Sequence, residues 1–227
     1  MWNSLKRRFP RDRNLLVHSE SIERMQSDAK PALMLTFKSF SSASRTTLEQ
    51  QLRFKGNRRM LTMNGYIQMA RDLGMLNALL ITPSDIFFDI RAVMKCRWGC
   101  EDFFTQSIKC HIRNTTFQER VEMVSRYSNI LLLHSHNARE LSVAVLEIER
   151  KAFLDGHYFA FGIRYCMLCK ECAVQQGRSC PTPNRVRPCD QAFGIDVYKT
   201  ARRQGLPCDV LQNRDDVQNR YGFVLIQ

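Results

Sequence analysis

Four cysteines fall within fifteen residues in the stretch "CMLCKECAVQQGRSCP", which runs from Cys166 to Pro181. Their spacing is C-x2-C-x2-C-x7-C. Cys166, Cys169 and Cys172 recur every third residue, so a tight coil brings their thiolates toward one centre. Zinc sites more often take two separated C-x2-C pairs, one from each knuckle. A cubane iron–sulfur cluster is wider than one ion. It accepts three thiolates from a short loop and a fourth from further along, often just before a proline. Cys180, followed by Pro181, suits that fourth position. The residue chemistry therefore favours a [4Fe-4S] cluster held by Cys166, Cys169, Cys172 and Cys180, with zinc or redox-active thiols as the alternatives.

A second group lies upstream in "KCRWGCEDFFTQSIKC", where Cys96, Cys100 and Cys110 have the spacing C-x3-C-x9-C. Three thiolates could hold a second cluster with one iron open to substrate, where it would act as a Lewis acid. His111, Cys189 or Cys208 could complete the set. The competing reading is that these cysteines are small buried hydrophobes beside the core. Arg97 and Trp98 could cover the site or simply pack at the surface. His134 and His136 stand two apart at a strand end and share a face, which suits either a metal or a polar strand terminus. His157 reads as a surface residue, and Glu147, Glu149 and the "RDD" segment as solvated. No Ser–His–Asp order and no catalytic carboxylate pair can be defended.

The elements that must position these groups alternate between helix and strand. "NGYIQMARDLG" has Asn64 as a candidate N-cap and Gly74 as a stop. Residues 78–83 and 85–91 read as short strands, the second leading into the first cysteine group. Thr116 with Glu119, and Asn137 with Glu140, have capping-box spacing and open two amphipathic helices. Residues 129–135 form a buried strand between them. Gly156 closes the second helix, and 157–163 is a strand that delivers the chain to Cys166. A helix capped by Asp196 and ended by Gly205 follows, then a C-terminal strand in "YGFVLIQ". This order predicts an α/β layered domain with a mixed sheet flanked by helices and two cysteine-rich loops following strands. Were those strands parallel neighbours, both loops would emerge at the carboxyl edge of the sheet, where open α/β sheets place ligands.

Composition sets the frame. The chain has 227 residues and nine cysteines, an odd number. A core of this size needs no disulfide staples, so clustered cysteines read as metal-binding or redox-active in a reducing compartment. No signal-peptide core precedes them and no apolar run is long enough for a membrane span, so a soluble cytoplasmic protein is expected. Of the net charge of +12, most sits in residues 1–62, with thirteen basic against five acidic residues. Those basic residues are not interleaved with aromatics, so nucleic acid is not the expected partner. Residues 1–62 read as a poorly ordered basic extension or a mis-assigned one, with Met60 and Met63 as alternative starts and one apolar patch, "ALMLTF" (32–37), that could form a strand. Residues 63–227 read as the cysteine-rich domain.

The C-terminal stretch resembles a known family, the predicted metal-binding proteins catalogued as domain of unknown function 2284. The matching residues are Cys166, Cys169, Cys172, Ala173, Gly177, Cys180, Arg187, Pro188, Gly194, Ile195, Asp196 and Val197. The resemblance spans about residues 64–227 and implies metal binding, with an iron–sulfur site at the second group. Two departures accompany it. "FFTQ" and "CHI" stand where the family has a Tyr-Gly-Lys segment and a Cys-Pro-Pro, and Cys189 stands where a small residue such as Ser is usual. The second group is thus the intact one, and the first is altered.

Three functions follow as expectations. One is an iron–sulfur protein serving electron transfer or redox support to a partner protein. The second is an iron–sulfur enzyme with an open iron at the first group. The third is a structural zinc module for protein contacts.

Overall fold

The computed structural model describes residues 60–110, 114–213 and 215–227. All of them fall within one compact unit. The expectations for residues 1–59, including the 32–37 strand, lie outside the described residues, as does His111.

Seven α-helices and four strands are present among the described residues: α1 (Met63–Asp72), β1 (Asn77–Ile81), α2 (Ile90–Gly99), α3 (Glu101–Phe104), α4 (Phe117–Ser125), β2 (Ile130–Ser135), α5 (Ala138–Leu154), β3 (Phe161–Ile163), α6 (Asp190–Phe193), α7 (Val197–Arg203) and β4 (Arg220–Leu225). The strand order is β1-β2-β4-β3. Every pairing is antiparallel: Leu132 lies opposite Leu79 on one side and Phe223 on the other, and Gly162 of β3 opposes Val224. The α/β class is as expected, but the sheet is antiparallel throughout rather than mixed. Apolar patterning places a strand in a sheet without recording its direction, and here the connections reverse the chain between each pair of neighbours.

The two faces of the sheet bury different sets of residues. Leu131, Leu133 and Val224 pack under α1 and α5 with Tyr66, Leu141, Val145 and Ile148. Ile130, Leu132, Phe223 and Leu225 face the opposite layer, with Ile86, Val124, Phe193 and Ile195. With both faces covered, β2 is buried along its whole length. That explains its unbroken run of apolar residues, and each fully buried leucine there contributes about 2 kcal/mol. The cysteine groups belong to the second layer, where Cys96, Cys110 and Cys208 are themselves part of the core.

Helix ends follow local chemistry. Thr116 and Glu119 form the capping box on α4, and Asn137 caps α5 through the amides of Arg139 and Glu140. The cap of α1 is Thr62 rather than Asn64, its side chain accepting from the Gly65 amide.

Two expected strands differ. Residues 85–91 do not form one. A 3-10 turn covers Pro83–Asp85, Phe88 makes a single bridge to Ile195, and Asp89 caps α2 by accepting from the Arg91 amide at 2.8 Å. Asp and Pro flanking a short apolar run shift it from strand to helix start. Cys96 and Cys100 are therefore carried on a helix end, and Cys110 on the irregular segment after α3, rather than on a loop after a strand. In 157–163, only Phe161–Ile163 pair; the His157 amide turns back to the Ala152 carbonyl and closes α5.

Close packing of α5 on β3 and β4 requires glycine at two sheet positions. A Cβ on Gly162 would lie 2.6 Å from a Val145 methyl, and one on Gly222 would lie 2.9 Å from the other.

Candidate metal centre

The second cysteine group begins three residues after β3. Its start is tied to α5 by two bonds: Ser142 Oγ donates to the Tyr165 carbonyl at 3.1 Å, and Arg139 Nε donates to the Leu168 carbonyl at 3.0 Å. Its far end is tied to the same helix. Arg187 makes a two-pronged ion pair with Glu149, Nε to Oε2 at 2.7 Å and Nη2 to Oε1 at 2.6 Å, and the Gly162 amide donates to the same carboxylate at 2.9 Å. The Glu149 side chain is only 12% exposed. It is a structural anchor, contrary to its expected place on a solvated surface; its i+4 partners on α5 gave no sign of this, because the cation that claims it comes from thirty-eight residues away.

Between these anchors, Cys166, Cys169, Cys172 and Cys180 all line one small cavity of about 60 Å³, together with Lys109 and Pro181. Backbone amides point at two of the sulfurs. The Leu168 amide bonds to Cys166, and those of Val174 and Gln175 bond to Cys172. Burial pushes both thiols up. At Cys166 burial prevails and the thiol is raised. At Cys172 the two amides and the Lys109 ammonium outweigh burial and hold the thiol below its ordinary value. Amide donors aimed at sulfur favour the thiolate, the form that binds metals.

The first group is built where three elements meet. Cys96 lies in the last turn of α2, and Cys100 is both the C-cap of α2 and the N-cap of α3. Cys189 is the N-cap of α6. The segment Gly194–Asp196 fixes their approach, since the Asp89 amide donates to the Gly194 carbonyl at 2.8 Å and the Asp196 amide to the Phe87 carbonyl at 2.7 Å. Gly194 has φ of +102°, and a Cβ there would lie 2.6 Å from the Phe117 ring. Only glycine suits that position.

Cys96, Cys100 and Cys189 line an open cavity of about 1100 Å³, with Lys95, Asp102 and Tyr165 among the other wall residues. Burial, followed by the neighbouring Cys100 and Cys110 sulfurs, pushes the Cys96 thiol up to about 12. Burial and the Asp190 carboxylate raise Cys189 well above its ordinary value. Cys110 is buried beside Cys96 but does not line the cavity. Cys208 is elsewhere, donating to the Tyr198 carbonyl at 3.4 Å. Trp98 is 78% exposed and covers nothing.

All nine cysteines are free. Among the described residues, no three His, Cys, Asp or Glu side chains form a group that could hold a metal ion. The donor set of the second group fits a thiophilic metal or cluster in kind: four cysteines on one cavity, two of them bonded by backbone amides. The first cavity offers three cysteines, Cys96, Cys100 and Cys189, and the thiols of Cys96 and Cys189 are raised.

His134 has both ring nitrogens engaged by asparagine side chains. Its ring nitrogens contact Asn77 Oδ1 at 2.8 Å and Asn219 Oδ1 at 2.9 Å, and it stacks on Tyr221 at 4.9 Å between ring centroids.

Residue patterns did not point to the link between the two cavities. Lys109 Nζ donates to Tyr165 Oη at 3.1 Å, and Tyr165 Oη donates to Asp102 Oδ2 at 3.0 Å. Tyr165 and Asp102 face the first cavity, and Lys109 faces the second. The one available signal was position, since Tyr165 directly precedes Cys166 and Lys109 directly precedes Cys110.

No helix among the described residues is long and apolar enough to cross a membrane. No curated protein and no solved structure gave a match. A family model described as "predicted metal-binding protein" matches residues 79–226. That span holds both cysteine cavities, the Lys109 link and the Arg187–Glu149 anchor, and the chain belongs to this family, domain of unknown function 2284.

Proposed function

We propose that the protein carries a [4Fe-4S] cluster on Cys166, Cys169, Cys172 and Cys180 and serves electron transfer or redox support to a partner protein in the cytoplasm. The observation that carries this reading is the meeting of all four cysteines on one cavity, with amide donors to two of them. Four protein thiolates leave a cubane no open coordination position, which suits one-electron exchange rather than substrate binding. In such a site the residues named here hold and tune: the amides of Leu168, Val174 and Gln175 and the Lys109 ammonium lower the cost of negative charge on sulfur. Zinc on the same thiolates is the competing occupant.

Anaerobic purification followed by iron, sulfide and zinc analysis tests the reading. The expected protein is brown, with about four irons per chain and visible absorbance that dithionite bleaches. A colourless anaerobic preparation with one zinc per chain would overturn it.

A second reading assigns the first cavity to an enzyme whose open metal binds a small substrate. Its support is that Cys96, Cys100 and Cys189 stand on the wall of a cavity large enough for a ligand. About eight irons per chain, with spectral change on adding a substrate, would favour it; four irons and no effect of Cys96→Ala would sink it.

A further inference from the structure

Beside the first cysteine cavity lies a separate hollow of about 300 Å³. Lys95 and Gln191 line both. Its charged wall residues are Lys95, Arg164 and Arg220, facing the carboxylates of Asp190 and Asp196.

These carboxylates satisfy the cations only in part. Asp190 Oδ1 is taken by the Gln191 amide at 2.7 Å, and Asp196 Oδ1 by the Lys199 amide at 2.9 Å. Asp190 Oδ2 forms a long ion pair with Arg164 Nη1 at 3.6 Å, beyond hydrogen-bond length. The Arg164 side chain is only 10% exposed, and its buried Nε has no hydrogen-bond partner among the described residues. Arg220 Nε donates to a neutral acceptor, the His136 carbonyl, at 3.2 Å. Burial and the nearby Arg164 charge both lower the Arg220 pKa, as expected for two guanidiniums sharing one hollow.

A buried guanidinium with an unused donor is costly unless an anion completes it. Its planar fork matches the two oxygens of a carboxylate or phosphoryl group. We propose that this hollow binds a small oxyanion, a phosphate or a carboxylate, through Arg164 and Arg220 with Lys95 at the rim. The inference does not depend on a metal at either cysteine group, and its test reads binding rather than metal content.

The experiment is calorimetric titration of the purified full chain at low ionic strength. Inorganic phosphate and succinate are the separate probes, and sodium chloride at matched ionic strength is the control. One-to-one saturable binding of either probe, absent with chloride, is expected. Phosphate alone would identify a phosphoryl ligand, and succinate alone a carboxylate. Arg164→Gln should weaken binding about tenfold or more. If that variant fails to fold, Arg220→Gln and the exposed Lys95→Gln carry the same expectation at about threefold or more. Lack of saturable binding by both probes, or unchanged affinity in whichever of these variants fold, would overturn the proposal.

Discussion

The Lys109 ammonium donates to the Tyr165 hydroxyl at 3.1 Å, across the wall that separates the two cysteine cavities. Lys109 is 4% exposed, so its charge acts in a medium that screens it weakly. Burial alone would lower its pKa, but Tyr165, Asp102 and Cys172 reverse the shift and raise it. One buried cation thus supports a thiolate in one cavity and, through Tyr165, orients a carboxylate in the other.

Replacing Lys109 with Met keeps the aliphatic stem and removes the charge. The second site should then hold its metal about tenfold less tightly or worse. Metal content after a timed chelator challenge checks this, with Tyr165→Phe expected to show a smaller loss in the same assay.

The cysteines should separate by position. Cys180→Ala is expected to abolish metal loading at the second group. Cys208→Ala, in the core and away from both cavities, should keep full loading and lower stability by about 1 kcal/mol. Metal analysis and chemical denaturation on both variants make the comparison.

Arg187→Lys should loosen the second cysteine segment. Lysine cannot reproduce the two-pronged bond to Glu149, which is largely buried. A stability loss of about 2 kcal/mol is expected, accompanied by faster amide exchange between Cys166 and Cys180. A stability change with unaltered exchange there would show that the anchor does not act on the cysteine segment.

Asp155 governs an acid-sensitive contact on the far face of the sheet. It accepts from Tyr66 Oη at 2.8 Å and from the Leu61 amide at 3.1 Å, and it pairs with Lys151. Burial pushes its carboxyl up, but Lys151, the Leu61 amide and Tyr66 outweigh burial and hold it below the ordinary value. The unfolded chain therefore binds this proton more readily than the folded one. The contribution is complete above the unfolded value, about pH 4, and is lost as pH falls through the lower folded value. Asp155→Asn should cost about 2 kcal/mol at neutral pH, discounted for the partial exposure of Lys151. It should also flatten the fall in stability below about pH 4, as measured by urea denaturation across pH.

Much of the scaffold was legible because its signals are local. A capping box needs only residues i and i+3, so Thr116–Glu119 and Asn137 announced their helices. The apolar run at 129–135 announced a covered strand. The 85–91 segment misled because Ile86 and Phe88 are apolar for a reason outside their own neighbourhood: both pack on the core and Phe88 bridges Ile195, while Asp89 already starts α2.

The sequence by itself determined the kind of candidate site. Cys166, Cys169, Cys172 and Cys180 are close along the chain, so their spacing alone restricts them to one neighbourhood, and thiolate chemistry restricts what they bind. Tertiary structure alone decided the rest. It set the direction of every strand, brought Cys189 to Cys96 and Cys100, and left Cys208 outside. It also brought Lys109 to Tyr165, Arg187 to Glu149 and Arg164 to Arg220. Each of those contacts joins residues from separate elements. Their meeting depends on how the two layers close over the sheet, and no periodicity along the chain encodes that.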